Sequence, residues 1–439
     1  MSEIPSRLRR KPALGTLVVI LLITAVLGTA AAFTGGSSQT AAQSTQPIEP
    51  LAVQIDQKRR QLDRVPGYAA GWAALGASYV ELARITGDPR NYGEAQRALD
   101  RSMELQPDNN AEALTGLGVL ANARHEFTAA RRYAEQAVVL RPDSAEVYGV
   151  LVDALTQLGD TDAATAAVQR MLDLRPGVPS FTRAAYDLEL HGRTEDAMNA
   201  LRMALGAANT ADQIAFCRYH LGELAFNSGQ LDDAESQYRS GLLANPDSAA
   251  LQQGQAKVFA ARGDLERGIA QYAALTTRAP LPEYLIEFGE LLDAAGRPEQ
   301  AAVEYRQVAE QFRALAAQGT TDYVDAALLA AEHGDPAEAV RLAQLEYGRR
   351  QSIITTDVLA WSLHKAGRDE EAIGYADRTV ALGWRSATLA YHRGMILAAL
   401  GRADAAASAL SEALRINPDF SPLHAPRARQ ALDSLGGPR

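Results

Sequence analysis

Residues 111–144, AEALTGLGVLANARHEFTAARRYAEQAVVLRPDS, carry the clearest structural pattern in the chain. In its first half, residues recur at the spacing that places them on one helix face: Leu114, Leu117, Gly118 and Ala121. In its second half, the same spacing is kept by small residues: Ala130, Ala134 and Ala137. Pro142 ends this second run, because proline cannot donate the helical hydrogen bond and disfavours helix in its predecessor. The stretch therefore predicts two helices joined by a turn at residues 125–127.

The same pattern returns along the chain with a period near 34 residues. Turns that end in proline are spaced by 35, 34, 70, 34 and 138 residues, at Pro107, Pro142, Pro176, Pro246, Pro280 and Pro418. A glycine before a polar residue or arginine is an independent marker, at Gly159, Gly192, Gly229, Gly263, Gly296, Gly334, Gly367 and Gly401. Two markers that share one period predict an array of helical repeats.

Within each period the residues resemble the tetratricopeptide repeat, or TPR. The first unit carries Trp72, Leu75-Gly76, Tyr79, Ala95 and Pro107, and the fifth carries Leu221-Gly222, Gly229, Ala234, Tyr238 and Pro246. We count ten units between Pro66 and Pro418. The resemblance implies an all-α fold, a right-handed α-solenoid of about ten helix-turn-helix units over residues 51–420.

Two narrower resemblances concern function. The whole chain resembles a group of actinobacterial membrane-anchored TPR proteins of unassigned function. Through GWAALG at residues 71–76 and ELQPDN at residues 104–109, it is more distantly similar to the repeat subunits of bacterial cytochrome c maturation.

The N-terminal segment predicts export. Residues 13–33 carry no charge and are long enough to cross a bilayer as a helix. Four basic residues lie in the n-region, residues 1–12, and none follows before Lys58, so the N-terminus is expected in the cytoplasm and the remainder outside it. The alternative is a signal peptide cleaved near residues 30–32, which would release a secreted protein.

The segments that flank the repeats have simple expectations. Residues 34–50, TGGSSQTAAQSTQPIEP, are predicted to be a flexible linker, because they cannot bury a core. Residues 421–439 are predicted to form a C-terminal capping helix and tail that cover the last repeat.

Charge and motifs exclude several classes of function. The net charge of −10 disfavours a nucleic-acid partner, which would require a basic face. We find no phosphate-binding or nucleophile-elbow motif, and we expect no cofactor, no metal and no catalytic residue. The remaining candidate for chemistry is Cys217, the single cysteine, with His220 one helical turn away. A cysteine-dependent enzyme is therefore the remote alternative.

The predicted function is that of a membrane-anchored scaffold or assembly adaptor outside the cytoplasm. The first helix of each TPR unit usually lines a concave groove, so its register names candidate partner-binding residues. They are Arg183, Tyr186, Tyr219, His220, Glu223, Glu287, Glu290, Asp293, Asp325, Asp357, Trp361, Tyr391 and His392. The middle of this set is acidic with aromatics between, which favours an extended segment of basic or mixed charge. The alternative binding function is that of a chaperone for exported substrates, of the cytochrome c maturation type.

Overall fold

The computed structural model of the chain describes residues 48–86, 88–317 and 323–436. Every regular element within these residues is a helix. The helices of the first half are α1 Ile48–Arg64, α2 Ala69–Thr86, α3 Arg90–Leu105, α4 Ala111–Ala123, α5 Phe127–Leu140, α6 Ala145–Leu158, α7 Thr161–Leu174, α8 Val178–Leu190, α9 Thr194–Ala207, α10 Ala211–Asn227 and α11 Leu231–Ala244. Those of the second half are α12 Ala249–Ala261, α13 Leu265–Arg278, α14 Pro282–Ala294, α15 Pro298–Ala317, α16 Tyr323–His333, α17 Pro336–Arg349, α18 Ile353–Lys365, α19 Asp369–Ala381, α20 Ala387–Ala399, α21 Ala403–Ile416 and α22 His424–Ser434.

Helices α2 to α21 form ten consecutive helix pairs, which confirms the predicted all-α solenoid. We number these pairs as units 1 to 10, so that unit 1 is α2 with α3 and unit 10 is α20 with α21. The first helices of most successive units contact one another, whereas the second helices pack mainly on first helices. The first helices therefore form the inner, concave layer of the solenoid.

One helix lies at each end of the array. Helix α1 begins at Ile48, three residues inside the segment predicted to be a linker, and packs on α2. Helix α22 packs on the last unit, where the capping helix was expected. The predicted n-region, the membrane-spanning stretch at residues 13–33 and linker residues 34–47 lie outside the described residues. In the part of the chain that is described, no helix is both long and apolar enough to cross a membrane.

Small residues let the two helices of a unit approach closely. Tyr238 of α11 is fully buried, and its ring lies between Gly222 of α10 and Gly254 of α12. A Cβ atom on Gly222 would stand 2.3 Å from Cε1 of that ring, and one on Gly254 would stand 2.5 Å from it. Both positions therefore need glycine for packing, because real Cβ atoms do not approach other atoms so closely.

The solenoid winds far enough to contact itself. Asn417, which follows α21, donates a hydrogen bond from Nδ2 to the carbonyl oxygen of Phe226 at 2.7 Å, across 191 residues. Arg350 likewise donates to Gln157 Oε1 at 2.9 Å, across 193 residues. We call this line of contact the seam; it joins the turns inside units 2 to 5 to the connections that follow units 8 to 10. With a period near 34 residues, one superhelical turn takes between five and six units.

Three of the glycines that mark the period lie at the seam, namely Gly159, Gly192 and Gly229, and the first two make the closest approaches. Gly159 and Gly192 have φ values of +77° and +71°, in the left-handed region that favours glycine. A Cβ atom on Gly159 would lie 2.5 Å from the carbonyl oxygen of Gln351, and one on Gly192 would lie 2.2 Å from that of Gly383. Glycine is therefore needed at these positions for two reasons. It adopts the left-handed backbone conformation of the loop between two helices, and it leaves room for the backbone of the next superhelical turn.

Candidate functional site

The concave face brings together predicted residues from α10 and α14. Tyr219 donates a hydrogen bond to Gln253 Oε1 at 3.4 Å, and Gln253 donates to Glu287 Oε2 at 2.7 Å. Lys257 donates to Glu223 Oε2 at 2.7 Å. Each of these bonds joins residues 34 positions apart, which is one repeat. The side chains thus form a ladder along the inner layer, with one rung for each pair of neighbouring units.

Buried tyrosines of the second helices support this ladder from behind. Tyr238 donates a hydrogen bond to Glu223 Oε1 at 2.6 Å, and Tyr272 donates to Glu287 Oε2 at 2.8 Å. Burial raises the pKa of the Glu287 carboxyl, while the charge of Lys257 acts in the opposite direction. The ladder carboxylates therefore already have partners within the protein.

Glu290 differs from its neighbours on the same helix. It accepts no hydrogen bond from any residue within the described ranges, whereas Asp293, one turn along, accepts one from Tyr305 at 2.9 Å. Burial raises the pKa of Glu290 to about 7, and the negative charges of Glu287 and Glu332 add to this effect, whereas the charges of His424 and Arg427 on α22 act in the opposite direction. Glu290 is thus a carboxyl of the predicted set that an external hydrogen-bond donor can still pair with.

The predicted residues of units 9 and 10 are covered rather than open. Asp357, Trp361, Tyr391 and His392 are between 1% and 7% exposed. His392 Nδ1 lies 2.9 Å from Asp357 Oδ2, and the His392 ring stacks on Trp361 with 4.0 Å between ring centres. These side chains form part of the packing at the C-terminal end of the solenoid, so their role in partner binding stays a prediction.

Helix α22 covers this end through a carboxylate that the sequence register did not single out. Glu332 of α16 accepts a hydrogen bond from Trp361 Nε1 at 2.7 Å. His424 and Arg427 of α22 approach the same carboxylate at 3.4 Å and 3.3 Å. Lys365, which is 33 residues from Glu332, donates to it at 3.3 Å. Because opposite charges one repeat apart can pair along the inner layer, the 33-residue spacing of Glu332 and Lys365 is the sequence signal that could have pointed to Glu332.

The remaining predicted residues lie at the two flanks of the ladder. Arg183 is buried and forms a two-pronged ion pair with Asp153 of the preceding unit, with N–O distances of 2.8 Å and 2.7 Å. Tyr186, one turn along α8, is half-buried, and burial raises its pKa. Asp325 is half-buried on α16. The ion pair of Arg183 therefore joins units 3 and 4, outside the ladder.

Cys217 and His220 do not form an activated pair. The Cys217 thiol is fully buried, and burial raises its pKa to about 11. Burial also lowers the pKa of His220 to about 4, and the His220 ring packs against Phe216 and Tyr219. A cysteine nucleophile needs a lowered thiol pKa beside a proton-accepting imidazole, so these shifts oppose that chemistry. The described residues also contain no group of three or more His, Cys, Asp or Glu placed to hold a metal ion.

Comparison with known proteins agrees with this geometry. A sequence model of the tetratricopeptide repeat matches residues 123–179, 219–281 and 358–419. The chain therefore contains tetratricopeptide repeats. A curated relative is the cellulose synthase 1 operon protein C of Komagataeibacter xylinus, 25% identical over 257 residues. That alignment covers 57% of this chain and 17% of the relative, so this TPR chain spans about a sixth of the relative's length.

Several solved TPR structures are similar to the chain. TTC0263, a TPR protein of Thermus thermophilus, is 22% identical, with a TM-score of 0.37, and the match covers 42% of this chain and 94% of that one. PilF of Pseudomonas aeruginosa is 16% identical, with a TM-score of 0.39, and the match covers 47% of this chain and 93% of that one. PilW, a type IV pilus biogenesis factor, is 18% identical, with a TM-score of 0.39, and the match covers 47% and 94% of the two chains.

Proposed function

We propose that the chain is a membrane-tethered adaptor that holds a segment of a partner protein against its concave face. The TPR fold is suited to protein–protein interaction, and its inner layer is an extended surface rather than a pocket for a small substrate. The buried, protonated thiol of Cys217 supports a binding role over cysteine-dependent catalysis.

The observation that carries the proposal is the state of Glu290. A carboxyl without a hydrogen-bond donor lies on α14, on the inner layer beside Glu287; Glu332 and the basic groups His424 and Arg427 of α22 are close enough to act on it through their charges, but none of them donates a hydrogen bond to it. A lysine or arginine side chain placed there would replace lost hydration with a charge-assisted hydrogen bond. We therefore expect the bound segment to carry at least one basic residue, flanked by an apolar residue that packs on the half-buried ring of Tyr219.

The experiment compares two charge reversals in one unit. Glu290→Lys changes the concave face of α14, and Glu310→Lys changes an exposed position on α15, the second helix of the same unit. Binding of a peptide library in which lysine and arginine positions vary is measured by fluorescence anisotropy. We expect Glu290→Lys to weaken the selected peptides at least tenfold and Glu310→Lys to leave them unchanged. Equal effects of the two variants would contradict the concave site.

The proposed tether rests on the sequence of residues 13–33 and the basic n-region before it. The full chain should remain in membranes after alkaline extraction, and deletion of residues 1–33 should release it. Protease added outside the cytoplasm should digest the TPR domain of the full chain. Recovery of a shortened chain from the medium would instead support the cleaved signal peptide.

A further inference from the structure

The seam is built without a shared hydrophobic core. The hydrophobic cluster that contains Tyr238 draws on residues 185–261, and the cluster that contains Val358 draws on residues 312–435. Among the described residues, no hydrophobic cluster has members on both sides of the seam. The two superhelical turns are therefore joined in a different way from neighbouring units.

Polar groups and close backbone approach join the two sides instead. Arg349 donates a hydrogen bond to the carbonyl oxygen of Arg124 at 3.3 Å, in addition to the bonds from Arg350 and Asn417. The Arg350 guanidinium also lies 5.6 Å from the centre of the Phe127 ring. Between these contacts, Gly159 and Gly192 let the two backbones approach without a side chain between them.

We propose that the seam is a polar latch, which holds the superhelix as a closed turn and opens while the ten units stay folded. Water can replace hydrogen bonds of this kind when the two sides part, so opening exposes few apolar groups. Separating neighbouring units would instead expose their cores. The closed turn fixes the width of the concave face, and the open turn widens it. This inference does not depend on the proposed function, because it can be measured without a partner.

The first test uses glycine variants with the same local strain. Gly192→Ala places a methyl group against the carbonyl oxygen of Gly383, whereas Gly263→Ala meets nothing within 4 Å. The φ values at these positions are +71° and +79°, so both variants carry a similar cost in their own turns. The control therefore separates an effect on the seam from an effect on the turn.

Spin labels at Glu195 and Arg385 report on the seam. Both side chains are exposed, and they line the two sides of a cleft of about 310 Å³ at the seam. The labels are introduced as cysteines into the full chain with Cys217→Ala, and the distance distribution is measured by double electron–electron resonance. We expect Gly192→Ala to shift the distribution to longer distances, with helical circular dichroism unchanged, and Gly263→Ala to match the parent.

A second pair of variants keeps the test independent of backbone strain. Asn417 is buried and donates a hydrogen bond across the seam. Asn245 lies at the equivalent position of the Asn-Pro-Asp turn after α11, but its side chain donates a hydrogen bond to Asp212 of α10, in its own unit. Asn417→Ala should lengthen the label distance, and Asn245→Ala should not. The proposal is overturned if neither seam variant differs from its control, or if the distance lengthens only together with loss of helical signal.

Discussion

The clearest test of the packing scheme is the contact between Gly222 and Tyr238. A glycine-to-alanine change in a helix interior normally stabilises by about 0.8–1.0 kcal/mol, because alanine loses less backbone entropy. At Gly222 the added methyl group meets three atoms of the Tyr238 ring, at 2.3, 2.6 and 2.8 Å. The ring has little room to move aside, because Gly254 lies on its other side, so close that a Cβ atom added there would stand 2.5 Å from Cε1 of the ring.

The magnitude follows from these opposing effects. Overpacking a well-filled core costs about 1–3 kcal/mol, so Gly222→Ala should lower the free energy of unfolding by up to about 2 kcal/mol once the helix gain of about 0.8–1.0 kcal/mol is subtracted. Gly374, in the interior of α19, is exposed, and a methyl group added there would have nothing within 4 Å. Gly374→Ala should therefore raise the free energy of unfolding by about 0.8 kcal/mol. The two variants make the same chemical change with opposite expected signs.

Urea unfolding followed by circular dichroism gives the global comparison, and hydrogen exchange gives the local one. Because repeats are coupled mainly to their neighbours, Gly222→Ala should lower amide protection in α10 to α13 and leave α18 and α19 unchanged. In a chain that already carries Tyr238→Ala, Gly222→Ala should no longer lower the free energy of unfolding. The packing argument fails if Gly222→Ala is as stable as Gly374→Ala.

Three further predictions concern ionisation, the thiol and the cap. Burial raises the pKa of Glu290 from 4.5 to about 7, so the folded protein loses stability as the pH rises from 4.5 through 7 and this carboxyl becomes charged. Glu290→Gln removes that charge, so it should stabilise the protein by up to about 3 kcal/mol at pH 8 and by little at pH 4.5. Urea unfolding midpoints at the two pH values measure the difference. The Cys217 thiol should react with a thiol reagent only on unfolding, and rapid reaction of the native protein would contradict its burial. Glu332→Ala should remove the acceptor of the Trp361 Nε1 hydrogen bond and the carboxylate that faces the buried His424 of α22; acrylamide quenching of Trp361 should then increase, whereas Glu310→Ala should not change it.

The repeat could be predicted from local sequence patterns. The helix faces, the glycine turns and the proline stops all act over a few residues, and packing between helices of one unit acts over about 34 residues. Local patterns such as Leu221-Gly222 with Tyr238 therefore predicted ten units, and the structure has ten. The register also named Glu223 and Glu287, which lie together on the ladder with one repeat between neighbouring rungs.

The winding of these units, in contrast, became visible only in the folded chain. The contact between Asn417 and Phe226 spans 191 residues, and it depends on the sum of small rotations at each interface between units. A local pattern does not fix that sum, so nothing in the motifs separated Gly192, which faces the seam, from Gly263, which faces open space. The same accumulated curvature brings α22 against Glu332 of α16 and covers Trp361. The sequence therefore named the concave helices, while the superhelical turn decided which of their side chains stay accessible.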